Sequence, residues 1–200
     1  MSQRIIYKID FYSYWHTGSG LAGSTYADAI VNKNEQNLPV IPGKTIKGLL
    51  RDAAQQIHYF DDKLVTQDFI QNVFGADSEK QGVDYKKEGK AFFSNAELSK
   101  SLSNSIIEKK YDNELYKVLP STQIDENGQA KDGSLRQLEV TIPLTLYGAI
   151  EHFPESETYL EQLENCFAFI KQIGLNRNRG LGKCKFSILK INKKHEALSI

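Results

Sequence analysis

The chain has 200 residues, 40% of them hydrophobic and 25% charged, with 25 basic and 25 acidic side chains and so no net charge. That composition suits one soluble domain with a real core, and it argues against a freestanding non-specific nucleic-acid binder, which would be basic overall. No apolar run approaches the roughly 18 residues of a membrane span, and the charged, strand-like start Met1-Ser-Gln-Arg-Ile-Ile-Tyr-Lys8 does not read as a signal peptide, so a cytoplasmic location is expected.

Arg4 to Trp15 alternates, with Ile5, Tyr7, Ile9 and Phe11 on one face and Lys8, Asp10 and Tyr12 on the other, the pattern of a half-buried strand. His16-Thr-Gly-Ser-Gly20 breaks it, and a polar loop runs to Leu38. From Lys44, Ile46, Leu49, Leu50, Ala53, Ala54 and Ile57 form a helical stripe. A short helix is predicted over Val65 to Phe74, ending at Gly75, followed by a charged loop at 76–90 and a short strand over Ala91 to Asn95. Ser99 to Ser134 is polar and weakly patterned, with turns at Glu126-Asn-Gly128 and near Asp132-Gly133, and it offers little material for a projecting hairpin. Leu138 to Leu146 alternates as one long strand, edge or bulged at Pro143 because proline removes a ladder donor. Leu160, Leu163, Phe167 and Ile170 mark a helix ending at Gly174, and Cys184 to Ile191 alternates again. Cys166 and Cys184 have no companions at metal spacing and read as buried thiols. The order strand, helix, strand, strand, helix, strand predicts an α+β ferredoxin-like fold: a four-stranded sheet with both helices on one face. The reading is of one domain, 1–200, with insertions at about 16–42 and 76–135.

Two stretches carry chemistry. Gly174-Leu-Asn-Arg-Asn-Arg-Gly-Leu-Gly182 sets two arginines between glycines, inside a span from Asn165 to His195 with eight Lys or Arg and no Asp or Glu. Glycines permit close backbone approach, and arginines without carboxylate partners suit phosphate, which points to nucleic acid. Lys44, Lys47 and Arg51 recur at 0, +3 and +7 on one stripe of the first helix, although cations in the first turn oppose the helix dipole. Phosphate held at that helix start would remove the conflict. Gly43-Lys-Thr45 is not a nucleotide-binding P-loop, because Leu38 stands where its first glycine belongs. His16 suits a general base, a stacking surface or a turn residue, and Asp28 a cap or turn acid.

Taken together, Trp15-His-Thr-Gly-Ser-Gly20, Asp28, and Leu38-Pro-Val-Ile-Pro-Gly-Lys-Thr-Ile-Lys-Gly-Leu-Leu-Arg51 resemble the N-terminal signature of the RAMP superfamily of CRISPR-associated proteins. Phe74-Gly75 with Gly89-Lys-Ala-Phe-Phe-Ser-Asn-Ala-Glu97 is similar to that family's next segment. Thr122 to Glu139, with its Gly133-Ser-Leu-Arg136, is similar to the stretch before its central strand, and Gly174 to Gly182 to its C-terminal glycine-rich loop. The closest likeness is the backbone subunit of type III effector complexes.

That resemblance implies a ferredoxin-like body that binds guide RNA in antiviral defence, assembles with copies of itself and other effector subunits, and meets target RNA. It implies RNA contacts for His16, Ser19, Lys44, Thr45, Lys47, Arg51, Arg136, Arg177, Arg179 and Lys183. Asp28 matches the family's RNA-cutting aspartate, whose chemistry is attack by the target's own 2′-hydroxyl on the adjacent phosphate, assisted by a divalent metal (Mg or Mn) held mainly by the RNA. Two other readings stand beside it: a stand-alone guide-processing endoribonuclease with His16 as base, and a structural RNA-binding subunit with Asp28 inert.

Overall fold

The computed structural model describes residues 2–20, 27–76 and 88–193. Most of the loop expected at 76–90, and part of the one from His16 to Leu38, lie outside them. In chain order the elements are β1 (Ser2–Phe11), α1 (Gly43–Phe60), α2 (Gln67–Val73), β2 (Phe92–Phe93), α3 (Lys100–Lys109), β3 (Tyr116–Ser121), β4 (Arg136–Thr141), β5 (Thr145–Pro154), α4 (Glu157–Phe169) and β6 (Cys184–Lys193).

Four strands form an antiparallel sheet in the order β2-β5-β1-β6. With α1 following β1 and α4 following β5, this is the ferredoxin-like arrangement. The alternation in β1 has the expected result: Ile5, Tyr7, Ile9 and Phe11 are buried. They meet the apolar stripe of α1 (Ile46, Leu50, Ala53, Ala54 and Ile57) and Leu163, Cys166 and Phe167 of α4 in one core. Gly148 on β5 leaves room for the Tyr7 ring, since a Cβ there would lie 2.4 Å from its hydroxyl. The helices start as their sequences suggest. Thr66 caps α2 through the Phe69 amide, and Ser156 caps α4 through that of Tyr159. Cys166 and Cys184 are free and buried, and burial pushes both thiols up to about 12. Among the described residues no helix is long and apolar enough to cross a membrane.

Two expectations change. The long strand from Leu138 to Leu146 is two strands. β4 ends at Thr141 and pairs with β3 in a separate hairpin, whereas β5 starts at Thr145 and enters the main sheet. The break falls around Pro143, where the missing N–H ends the ladder outright. The weakly patterned Ser99–Ser134 region also holds regular structure. Ser99 caps α3, whose only buried residue is Ile106, and β3 supplies half of a hairpin that continues beyond its strands. There Ile124 bridges Ala130, and Asp125 accepts from the Asn127 and Gln129 amides. The hairpin that the sequence pattern does not announce is therefore present.

Candidate nucleic-acid interface

The glycine-framed loop is fastened to the end of β1 through its backbone. Gly174 has φ +94° and sits so tightly on the carbonyl of His16 that a Cβ would lie 2.0 Å from the oxygen. Gly182, at φ +72°, would place its Cβ 1.9 Å from the Ile173 carbonyl oxygen. Both positions therefore exclude any side chain. The Leu175 amide donates to the His16 carbonyl (3.0 Å), the Gly182 amide to that of Tyr14 (2.7 Å), and the Tyr12 amide to that of Lys183 (2.8 Å). Gln172 reaches in to donate to the Arg177 carbonyl (3.0 Å). On this scaffold Arg177, Arg179 and Lys183 project into solvent, and among the described residues no carboxylate pairs with any of them. A rigid backbone carrying unneutralised cations suits a polyanion. Lys194 and His195, the end of the basic stretch, lie outside the described residues.

His16 forms the floor of this loop. It is 0% exposed, which removes it from any surface that RNA could touch. Its Nδ1 lies 2.6 Å from the Glu139 carbonyl oxygen; a carbonyl only accepts, so Nδ1 carries the proton. The Nε2 is buried without a hydrogen-bond partner and lies against Gly18, where a Cβ would approach to 3.0 Å. The expected RNA contact of His16 is thus corrected to a packing role. Ser19 is likewise a staple, its hydroxyl donating to the Ile30 carbonyl (3.2 Å).

Asp28 is exposed alongside β4, at Gln137, near the end of the β3–β4 ladder that leads to the hairpin turn. Its carboxylate accepts from the Gln137 amide (2.6 Å), and its own amide donates to the Gln137 carbonyl (2.8 Å). This two-way bond fixes the carboxylate direction and sets Asp28 beside the exposed Arg136 in sequence register. The segment is held further by a residue that the sequence pattern does not single out. Glu139 is 1% exposed, its carboxylate pairing with Lys33 (2.9 Å) and accepting from the Val31 amide (3.0 Å), while its own amide donates to the Ala29 carbonyl (3.0 Å). Lys33 also lies over the Tyr116 ring, 3.8 Å from its centroid. Burial, then the charges of Glu139 and Asp112, hold the Tyr116 hydroxyl well above the ordinary tyrosine range. Glu139 thereby joins three things: the Asp28 segment, the hairpin and, through His16, the floor of the basic loop. The alternation puts Glu139 on the polar phase, opposite Leu138 and Val140, so its burial has no sign in the sequence pattern.

The α1 cations lie elsewhere. Gly43 packs on the Phe93 carbonyl of β2, and its amide donates to Asn95 (3.0 Å); the Thr45 and Ile46 amides both donate to the Pro42 carbonyl. The Gly43 and Thr45 amides at the helix start are therefore already bonded, and the Ile46 bond is the first i→i−4 bond of the helix itself. Arg51 lines a cleft of about 690 Å³ between α1 and α2, with Gln55, Tyr59, Asp61 and Asp62. Arg177 and Asn178 instead flank a groove whose α1 wall is Leu49, Asp52, Ala53 and Gln56. At about 100° per residue, these two sets occupy different flanks of α1, and Lys44 and Lys47 share the flank of Arg51. The loop and the helix stripe thus do not form one cradle. Thr45 is half-buried at the helix start.

Two solved structures share the architecture. One chain of a type III-B Cmr-β complex bound to cognate target RNA aligns with a TM-score of 0.68 at 12% identity, covering 92% of this chain and 96% of that one. One chain of the apo Cmr-β complex aligns with a TM-score of 0.69 at 13% identity, covering 94% and 97%. Among curated proteins none matches. The family model described as the RAMP superfamily matches residues 8–185, a span that takes in the end of β1, the Asp28 segment, the hairpin and the basic loop, and the chain belongs to that superfamily.

Proposed function

We propose that the protein is a guide-RNA-binding backbone subunit of a type III CRISPR effector complex, acting in antiviral defence with copies of itself and other effector subunits as partners. The observation that carries this is the glycine-braced loop from Gly174 to Gly182, with Arg177, Arg179 and the adjoining Lys183 exposed and, among the described residues, without a carboxylate partner. Its backbone is fixed before any ligand arrives, so little conformational freedom is lost on binding. Phosphate contacts of this kind position a strand without reading its bases, as a protein serving many guides requires. The RAMP membership and the fold shared with Cmr-β chains support the same reading, and the β3–β4 hairpin provides a projection that could enter between nucleotides.

In this proposal Asp28 directs cleavage of the target strand. The substrate's 2′-hydroxyl attacks the adjacent phosphorus, the bond to the 5′-oxygen breaks, and a cyclic phosphate and a 5′-hydroxyl result. Asp28, its carboxylate steered by the Gln137 amide, orients the reacting hydroxyl; holding the groups in line supplies much of the acceleration. Among the described residues no three His, Cys, Asp or Glu side chains are grouped to hold a metal ion. The exposed Asp28 carboxylate fits a divalent cation (Mg or Mn) only when RNA phosphates complete the shell, where it would neutralise charge at the scissile phosphate. The buried His16 disfavours the rival reading of a processing enzyme with His16 as base.

Fluorescence anisotropy with single-stranded RNA at several salt concentrations tests the binding surface. Affinity should fall with salt, and Arg179→Ala should make the slope shallower by about one. Lys47→Ala, on the other flank of α1, reports whether that flank joins the interface. Equal slopes for wild type and Arg179→Ala would reject the loop as the RNA surface. In the assembled complex, Asp28→Ala should abolish cleavage of guide-paired target while leaving its binding intact. Undiminished cleavage would leave the protein a structural subunit.

A further inference from the structure

Helices α1 and α4 cover one face of the central sheet, and the residues between the core positions point the other way. On β1 these are Arg4, Ile6, Lys8, Asp10 and, just beyond the strand, Tyr12. In register, Lys8 lies opposite Tyr147 of β5 and Ser187 of β6, and Asp10 lies opposite Thr145 and Lys185. The aromatic rings here are open: Tyr12 is 57% exposed, Tyr147 38%, and Phe92, opposite Glu151 at the β2 edge, 62%.

The charges of this face are largely satisfied within it. Lys8 pairs with Asp10 (2.8 Å), Arg4 with Glu151 (2.7 Å), and Thr145 donates to Asp10 (2.8 Å). Tyr147 is the register partner of Lys8 on β5, and Tyr12 follows Lys8 and Asp10 by alternation, so the rings and these charges share one face. A flat surface with exposed rings and self-neutralised ions has little to offer a phosphate chain on its own. It offers stacking planes to bases, provided that another element grips the backbone.

The basic loop adjoins it. Tyr12 is bonded through its amide to Lys183, Lys183 through its amide to the Ser13 hydroxyl (3.0 Å), and Gly182 to Tyr14, which is 39% exposed. The exit of the loop and the end of β1 are thus one ladder, placing cations and tyrosines side by side. Lys183, bonded beside Tyr12 and Ser13, and Lys185, opposite Asp10 in register, make the strip positive where it meets the tyrosines, and the chain leads from them back to Arg179 and to Arg177 on the α1 side.

We propose that a single RNA strand gripped by the Gly174–Gly182 loop continues onto the outward face of the sheet, where its bases stack on Tyr12 and Tyr147. This rests on the RNA-binding reading above and adds the path of the strand and the way its bases are held. Two kinds of contact are then separable: arginines that answer to salt and tyrosines that do not.

The test uses fluorescein-labelled single-stranded RNA with the full chain, its fold checked by thermal melting. The pair Tyr12→Ala with Tyr147→Ala should weaken binding at least about tenfold, with the salt slope unchanged. Tyr12→Phe with Tyr147→Phe keeps the stacking plane and should stay within about twofold of wild type. RNA with abasic positions should bind wild type no better than intact RNA binds the alanine pair. Equal affinity of the alanine pair and wild type overturns the proposal, assigns the exposed rings to a protein partner, and leaves the loop reading standing. Absence of any RNA binding by wild type overturns both.

Discussion

The basic loop and the outer half of the β3–β4 hairpin are both short, polar and turn-rich, yet they are held in opposite ways. The loop is clamped to the body: two glycines press on carbonyls, several backbone bonds tie it to the end of β1, and His16 and Glu139 support it from below. The hairpin's outer residues, 121–133, are all exposed and satisfy one another. Asp125 caps its own turn, and Ser134 bonds Thr122 and Gln123. The loop's presentation of arginines therefore depends on distant core residues, whereas the hairpin tip is independent of the body. A fixed platform suits gripping a phosphate chain, and a self-contained projection suits reaching past it.

The largest test of that contrast is Glu139→Ala, which leaves Lys33 and the Val31 amide without their carboxylate partner while keeping the backbone bonds of residue 139 to Ala29 and His16. It should lower unfolding free energy by about 3 kcal/mol or more in urea melts. Glu151→Ala, which breaks the exposed pair with Arg4, should cost under about 1 kcal/mol. Comparable losses would mean that the buried Lys33–Glu139 pair holds the fold no more firmly than the pair on the open sheet face. Next in size is Gly174→Ala, which meets both a positive φ and a carbonyl at clash distance and should cost about 2–3 kcal/mol. Gly180→Ala has φ +84° but nothing within 4 Å of the new Cβ, so only the conformational cost of about 1 kcal/mol applies. If the two alanines cost the same, the clamp is not rigid. Smallest of all, replacing residues 124–130 by a short turn should shift stability by less than about 0.5 kcal/mol. A large loss would tie the tip to the body after all.

Periodicity made the main sheet and its helices legible, because β1, α1, α4 and β6 each bury one regular face in a single core. The same periodicity hid the division at Pro143. Val140 and Leu146 are both buried on alternating phase, but in different sheets, and alternation says nothing about which partner a strand pairs with. Helix α3 went unseen because only Ile106 is buried, so it has almost no apolar stripe to detect. At the site, the arginines of the loop announced themselves by composition and glycine framing. The separation of that loop from Lys44, Lys47 and Arg51 did not, since it depends on how the α4–β6 connection lies across α1. The Lys33–Glu139 pair joins residues 106 positions apart, beyond the reach of any local pattern. Tyr12 could be assigned to the outward face from alternation alone, but nothing in the sequence shows that this face stays open.

The two cysteines have a practical consequence. Both thiols are sealed in the core and, with their ionisation pushed up to about 12, are almost entirely protonated at neutral pH, and the thiolate is the form that reacts. The native protein is thus a silent background for thiol-directed dyes. A cysteine placed at Asn178, between the two arginines, would be the one site to take a label, turning the loop into its own reporter.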